Sequence, residues 1–224
     1  MNTEDTLQSQ KVKWAYTALL IILIWFTLVL QFTISVPAYQ EQGRTLAGSV
    51  LQLCSFFTIL SNFLVVVSLT ILLIKPGSTV GKFFSKGSVL TGLTVYITVV
   101  GIVYNVVLRQ IWHPEGLFKL ADELLHTVNP LLFIIYWLAF VPKQGLKWSD
   151  TLSWLIFPFI YLVYILIRGE ISGYYPYPFI DVSLLGYTKV MINSLVLLLV
   201  FLAFGALFVF AGRLQSRTLK TVTS

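Results

Sequence analysis

An all-α bundle of six membrane-spanning helices is the fold that the sequence predicts, and three observations predict it. Only 11% of the 224 residues are charged, against about 25% in ordinary soluble domains, while 57% are hydrophobic. Apolar runs of about twenty residues, long enough to cross a bilayer as a helix, recur six times. Lys and Arg concentrate in alternate connections between those runs, as expected of a chain that weaves through a membrane.

The first run, Trp14–Val36, is followed by SVPAYQ, which offers no small-x-small cleavage site, so it is read as a retained span rather than a signal peptide. The second, Leu51–Ile74, carries FFTILSNF at 56–63, an unusually polar stretch for a lipid-bound helix. The third is Val89–Leu108, with Asn105 and Arg109 at its end. The fourth, Leu124–Val141, opens on HTVNP, and Pro130 removes a backbone donor there and is expected to bend the helix beside His126. Leu152–Ile167 is a short fifth span and Met191–Gly212 the sixth. The connections leave no room for a separate soluble domain, so residues 1–224 read as a single six-span unit.

The amino terminus, second and fourth loops and carboxyl terminus hold ten Lys and Arg residues, and the other three loops five. That bias predicts both termini in the cytoplasm of a cell-membrane protein. On that topology Thr58 lies roughly 10 Å below the outer end of the second span, at about 1.5 Å per residue from Leu51. His126 falls in the first turn of the fourth span. Asn105, Arg109, Arg168 and the loop GEISGYYPYPFIDVS share the outer side. The cytoplasmic loops are short and basic, so a site opening toward the outer leaflet is expected.

Composition also removes several function classes. The lone Cys54 forms no intramolecular disulfide, and there is no cysteine cluster of metal-ligand spacing. Two histidines are too few for a bis-haem bundle, which needs four axial ligands. The net charge of +6 is spread over loop ends rather than gathered in a stripe, which argues against a nucleic-acid partner. No metal or organic cofactor is called for, and membrane lipids are the expected partners.

Candidate chemistry begins at His126. Helical spacing puts Asp122 four residues before it and Asn129 three after, both on its face. Asp122 can orient the imidazole as the acid of a hydrolytic triad does, and the plainer reading is an interfacial histidine beside an acid. Ser55, Thr58 and Asn62 follow i, i+3, i+7 spacing and form one polar stripe on an otherwise apolar helix. Thr58 is either a nucleophile activated by a base or a threonine bonded back to its own helix. Asn62 either donates to an oxyanion or bridges helices. After the fifth span, Arg168 and Tyr175, Tyr177 and Asp181 of YYPYPFID form an extended aromatic segment. It reads as a lid whose arginine grips a carboxylate and whose rings meet acyl chains, or as an interfacial loop with Arg168 snorkelling.

Six spans, F-T-I-L-S-N in the second, H-T-x-N-P in the fourth and R-G followed by Y-P-Y-P-F-I-D after the fifth together resemble the FAR-17a/androgen-induced-protein family, in its bacterial six-helix branch. The resemblance runs from about Lys13 to Arg213. It implies an intramembrane hydrolase of fatty acid esters of hydroxy fatty acids, with a threonine nucleophile and a histidine that fall on Thr58 and His126. The family does not firmly supply an acidic third member, so Asp122 rests on its spacing alone. The proline–aromatic segment is fuller here than in the animal proteins, so the role of Arg168 rests on this sequence. The alternative is a lipid-binding or transport protein that uses the same cavity without chemistry.

Overall fold

A computed structural model describes the backbone of residues 3–223 and the side chains of residues 7–217. Among the described residues there is no strand. The helices are α1 (Thr3–Glu41), α2 (Leu46–Leu53), α3 (Phe57–Ile74), α4 (Thr79–Phe84), α5 (Gly87–Val106), α6 (Gly116–Glu123), α7 (Asn129–Phe140), α8 (Asp150–Ser153), α9 (Ile156–Ser172) and α10 (Val182–Thr223). Six segments are long and apolar enough to cross a membrane: Leu7–Glu41, Phe57–Ile74, Gly87–Gln110, Gly116–Phe140, Asp150–Ser172 and Val182–Arg217. The protein is an all-α, multi-pass membrane protein.

Most spans extend beyond the apolar runs that predict them, because helices continue through flanking polar turns into the interface. The second is the exception. Leu51–Ile74 is not one helix: α2 ends at Leu53 and α3 begins at Phe57, with Cys54–Phe56 between them. Thr45 caps α2 by accepting the Gly48 N–H at 3.1 Å, which starts that helix before the apolar run does. The break needs partners for its freed carbonyls, and Tyr161 of α9 supplies one, donating its hydroxyl to Ser55 O at 2.7 Å.

The fourth span also starts earlier than its sequence suggests, at Gly116 rather than Leu124, and Leu124–Val128 is a π-helical turn between α6 and α7. Pro130 gives the local reason. Its nitrogen has no hydrogen to donate to the His126 carbonyl four residues back, so the ladder widens instead of closing. Asn105 of α5 approaches the released carbonyl at 3.5 Å. A side chain at Gly101 would meet that same oxygen at 3.1 Å, so the small residue lets α5 pack closely there.

α5 is the central span, with every residue from Leu90 to Val100 buried. In one core with it lie Leu20 and Ile24 of α1, Val66 and Leu69 of α3, Phe133 and Trp137 of α7, Ile165 of α9 and Val209 of α10. Lipid tails are as apolar as these side chains, so association depends on close packing and interhelical hydrogen bonds. Trp137 Nε1 donates to Thr91 Oγ1 at 2.9 Å, and a side chain at Gly92 would meet the Trp154 ring at 2.6 Å. Leu19, Ile22, Phe159, Ile160, Leu195 and Leu199 point outward, where lipid replaces water.

Lys143 closes α7. Its Nζ donates to the carbonyls of Trp137, Leu138 and Val141 at 2.5, 2.9 and 2.9 Å, satisfying a helix end. At the adjoining Pro142, a β-carbon on Gly87 would stand 2.0 Å from the carbonyl oxygen, a backbone atom that cannot rotate away. Gly87→Ala is therefore expected to destabilise the protein by about 2–3 kcal/mol, readable as a lowered unfolding midpoint in detergent. An unchanged midpoint would show that the α5 start and the loop after α7 are not in such contact.

Candidate active site

Thr58 is the second residue of α3, so the carbonyl four residues back, on Cys54, lies outside the helix. Elsewhere, Thr17, Thr27, Thr33, Thr70, Thr91, Thr94 and Thr98 all bond their hydroxyls to the carbonyl four residues earlier, at 2.6–2.8 Å. Thr58 does not. Its Oγ1 lies 3.2 Å from His126 Nε2 and 3.5 Å from Tyr177 Oη. The break in the second span thus frees this hydroxyl for a partner on another helix.

The partners of His126 fix its tautomer. Nδ1 lies 2.9 Å from the Asp122 backbone oxygen and 3.2 Å from Asp122 Oδ1, and both can only accept. Nδ1 therefore carries the hydrogen, and Nε2 presents its lone pair to Thr58, which donates. Asp122 is itself held by the Tyr104 hydroxyl, which donates to Oδ2. The Tyr104 ring stacks on the imidazole, centroids 4.0 Å apart and planes 15° from parallel. Thr58 is 5% exposed and Asp122 8% exposed, so water does little to weaken these contacts.

Two asparagines lock the helices that carry the pair. Asn62 Nδ2 donates to Thr58 O at 2.9 Å and to Leu125 O at 3.3 Å, and Asn129 Nδ2 donates to Asn62 Oδ1 at 3.0 Å. Both amide hydrogens of Asn62 are occupied, so it ties α3 to the π turn and does not serve as an oxyanion donor. Asn129 reaches Asn62 rather than His126, because the π turn rotates it off the face that regular helical spacing assigns.

A cavity of about 80 Å³ opens beside Thr58 and His126. Phe57, Val99, Val103, Leu198 and Phe201 make its walls apolar, and Tyr177, Phe179 and Ile180 bring the loop between α9 and α10 over it. The volume holds an ester and the start of a chain, well short of the roughly 300 Å³ that encloses a drug-sized ligand. Tyr177 is the loop residue nearest the reactive atoms: its hydroxyl oxygen also accepts the Thr58 N–H at 3.4 Å. Burial pushes its phenol above the usual tyrosine range, keeping it protonated.

The other expected site residues lie elsewhere. Ser55 sits in the break, its Oγ donating to Leu51 O at 2.7 Å. Asp181 caps the start of α10, its Oδ1 accepting from Ser183 N and Leu184 N at 2.9 and 3.2 Å. The Tyr175 ring covers Gly169, where a β-carbon would overlap it at 2.0 Å. Arg168 faces a separate groove outside the cavity. Arg109 pairs with Glu123 at 2.6 Å and donates to Thr127 Oγ1 at 3.2 Å. Sequence reasoning missed Tyr104, whose partner Asp122 lies eighteen positions away across a turn. A lone tyrosine near a span end reads as an interfacial ring.

Together these features define a class: a multi-pass membrane protein in which a threonine, a histidine and an aspartate are hydrogen-bonded in series beside an apolar cavity. Compared with known protein families, curated proteins and solved structures, the chain matches none.

Asp122→Asn separates two supports of the imidazole. The backbone oxygen of residue 122 still accepts from Nδ1, so the tautomer survives, while the carboxylate that also accepts from Nδ1 is lost. Reactivity of the Thr58 hydroxyl is expected to fall about 10- to 100-fold, less than the roughly 10⁴-fold loss of rate seen where the carboxylate alone sets the tautomer. The rate of labelling by a fluorophosphonate in detergent checks this, and an unchanged rate would show that Asp122 does not act on Thr58 through His126.

Proposed function

We propose that the protein is an intramembrane hydrolase of lipid esters, acting on fatty acid esters of hydroxy fatty acids or related acyl esters. The observation that carries this reading is the 3.2 Å approach of Thr58 Oγ1 to His126 Nε2 at the wall of an apolar cavity. A buried hydroxyl facing the free lone pair of an oriented imidazole is the arrangement that activates a weak oxygen nucleophile.

The reaction follows from the positions of the groups. His126 Nε2 takes the Thr58 proton as Oγ1 attacks the ester carbonyl, and Asp122 stabilises the imidazolium through Nδ1. Negative charge gathers on the former carbonyl oxygen. The Thr58 N–H, unpaired within its helix because it lies in the first turn, and the Tyr177 hydroxyl are the donors beside that oxygen. In the resting structure the Tyr177 oxygen accepts the Thr58 N–H, and a substrate oxygen seated between them replaces it as acceptor and takes both donors. His126 then protonates the departing alkoxide, releasing the alcohol and leaving an acyl-threonine. Water, deprotonated by His126, attacks the acyl carbon and frees the acid, and the proton returns to Thr58.

The Lys and Arg bias supports cytoplasmic termini, which turns the cavity toward the outer leaflet of the cell membrane, where an ester can enter from lipid. The test is direct. Purified protein in detergent micelles, offered a panel of long-chain acyl esters, is expected to release acid, and Thr58→Ala of equal thermal stability is expected to release none. Wild-type protein that retains acyl esters without cleaving any would point instead to lipid binding or transport through the same cavity.

A further inference from the structure

Outside the cavity, on the flank formed by α2 and the last two turns of α9, lies a groove of about 530 Å³ lined by Arg44, Gly48, Leu51, Tyr164, Ile167 and Arg168, among others. Its cations come from two distant segments. Arg44 follows Gly43, whose φ of 86° ends α1. Arg168 occupies the last turns of α9, and Gly173, with φ 66°, reverses the chain so that Tyr174 returns beside it. The guanidinium carbons of Arg44 and Arg168 each lie 5.5 Å from the centroid of the Tyr174 ring.

Two guanidinium groups gathered around one ring repel each other, and among the described residues neither is held in an ion pair. The Arg109–Glu123 ion pair and the His126–Asp122 contact both lie away from this groove. Nη1 of Arg168 is buried and has no hydrogen-bond partner. A buried donor left without an acceptor is costly, more so when charged. Snorkelling alone would extend both side chains into water, whereas here they fold onto Tyr174.

The remaining walls suit lipid. Leu51 is 55% exposed, Ile167 57% and Ile171 82%, at the ends of spans where headgroups meet acyl chains. A carboxylate is matched by one guanidinium, while a tetrahedral phosphate presents oxygens in several directions and accepts from two. We infer that this groove binds the phosphate of an anionic membrane phospholipid, with Arg44 and Arg168 on its oxygens and Leu51, Ile167 and Ile171 against its chains. The site is separate from Thr58 and does not depend on ester hydrolysis.

Native mass spectrometry of the full chain, released from nanodiscs of equal phosphatidylglycerol and phosphatidylcholine, tests it. One phosphatidylglycerol is expected to remain bound. Retention is expected to fall about fivefold in Arg44→Gln and in Arg168→Gln, and to vanish in the double variant. Arg213→Gln, whose guanidinium carbon lies over Trp148 at 5.9 Å, is expected to leave retention unchanged. Equal retention of phosphatidylcholine by wild-type protein, a result that needs no variant, would overturn the inference. So would undiminished retention in a folded double variant. Displacement of the lipid by millimolar inorganic phosphate, with matching thermal protection, would assign the groove to a soluble phosphate and overturn the lipid source.

Discussion

Thr58→Ala and His126→Ala are each expected to lower kcat/KM for ester hydrolysis by roughly 10³- to 10⁶-fold, and the double variant is expected to be no worse than either alone. The hydroxyl and the imidazole act as one unit, so removing either removes the activated nucleophile, and the second loss finds nothing left to remove. Thr58→Ser keeps an oxygen within reach of Nε2 and is expected to retain activity within about tenfold of wild type, since only the methyl group that restricts the rotamer is gone. Kinetics on purified variants of matched stability check all three. Losses that multiply in the double variant would mean that the two residues do not share a step. The 3.2 Å contact would then be a packing hydrogen bond between α3 and the π turn.

Tyr177→Phe is expected to have the next largest effect. The phenyl ring keeps the stack on Phe179, at 5.2 Å between centroids, and the edge contact with Phe56 at 5.9 Å, so the loop stays over the cavity. Only the hydroxyl is removed. If it donates to the oxyanion, kcat falls about 10²- to 10³-fold while KM hardly moves, the signature of an interaction made mainly in the transition state. A raised KM with kcat unchanged would instead make Tyr177 a wall of the binding cavity.

The spans were legible because lipid imposes a coarse rule, about twenty apolar residues for each crossing, and the chain obeys it six times. The breaks within spans were not. Nothing local in QLCSFF forbids a helix, and the chain leaves it there because Tyr161, a hundred and six positions away, takes up the Ser55 carbonyl. Pro130 announced a disturbance beside His126, but not that the widened turn would lie before it or that Asn105 would face the freed oxygen.

The same contrast governs the site. Thr58, His126 and Asp122 were readable as candidates by residue type and by spacing within one helix. Asn62 looked free to donate, yet the acceptors that occupy it, Thr58 O and Leu125 O, belong to the fold rather than to the linear pattern. Arg168 shares a helical face with Tyr161, which lines the cavity, but it stands seven residues, about 10 Å, farther along α9. That carries it past the α2–α3 break and into the groove with Arg44. A pattern along one helix gives direction around the axis; depth depends on where neighbouring helices start and stop.

Whether Thr58 is a nucleophile is read most directly by covalent capture. Purified protein treated with a fluorophosphonate probe is expected to be modified at Thr58 Oγ1, located by peptide mass spectrometry, with modification absent from Thr58→Ala and strongly reduced in His126→Ala. No modified hydroxyl in folded wild-type protein, or equal modification of Thr58 without His126, would contradict an activated threonine.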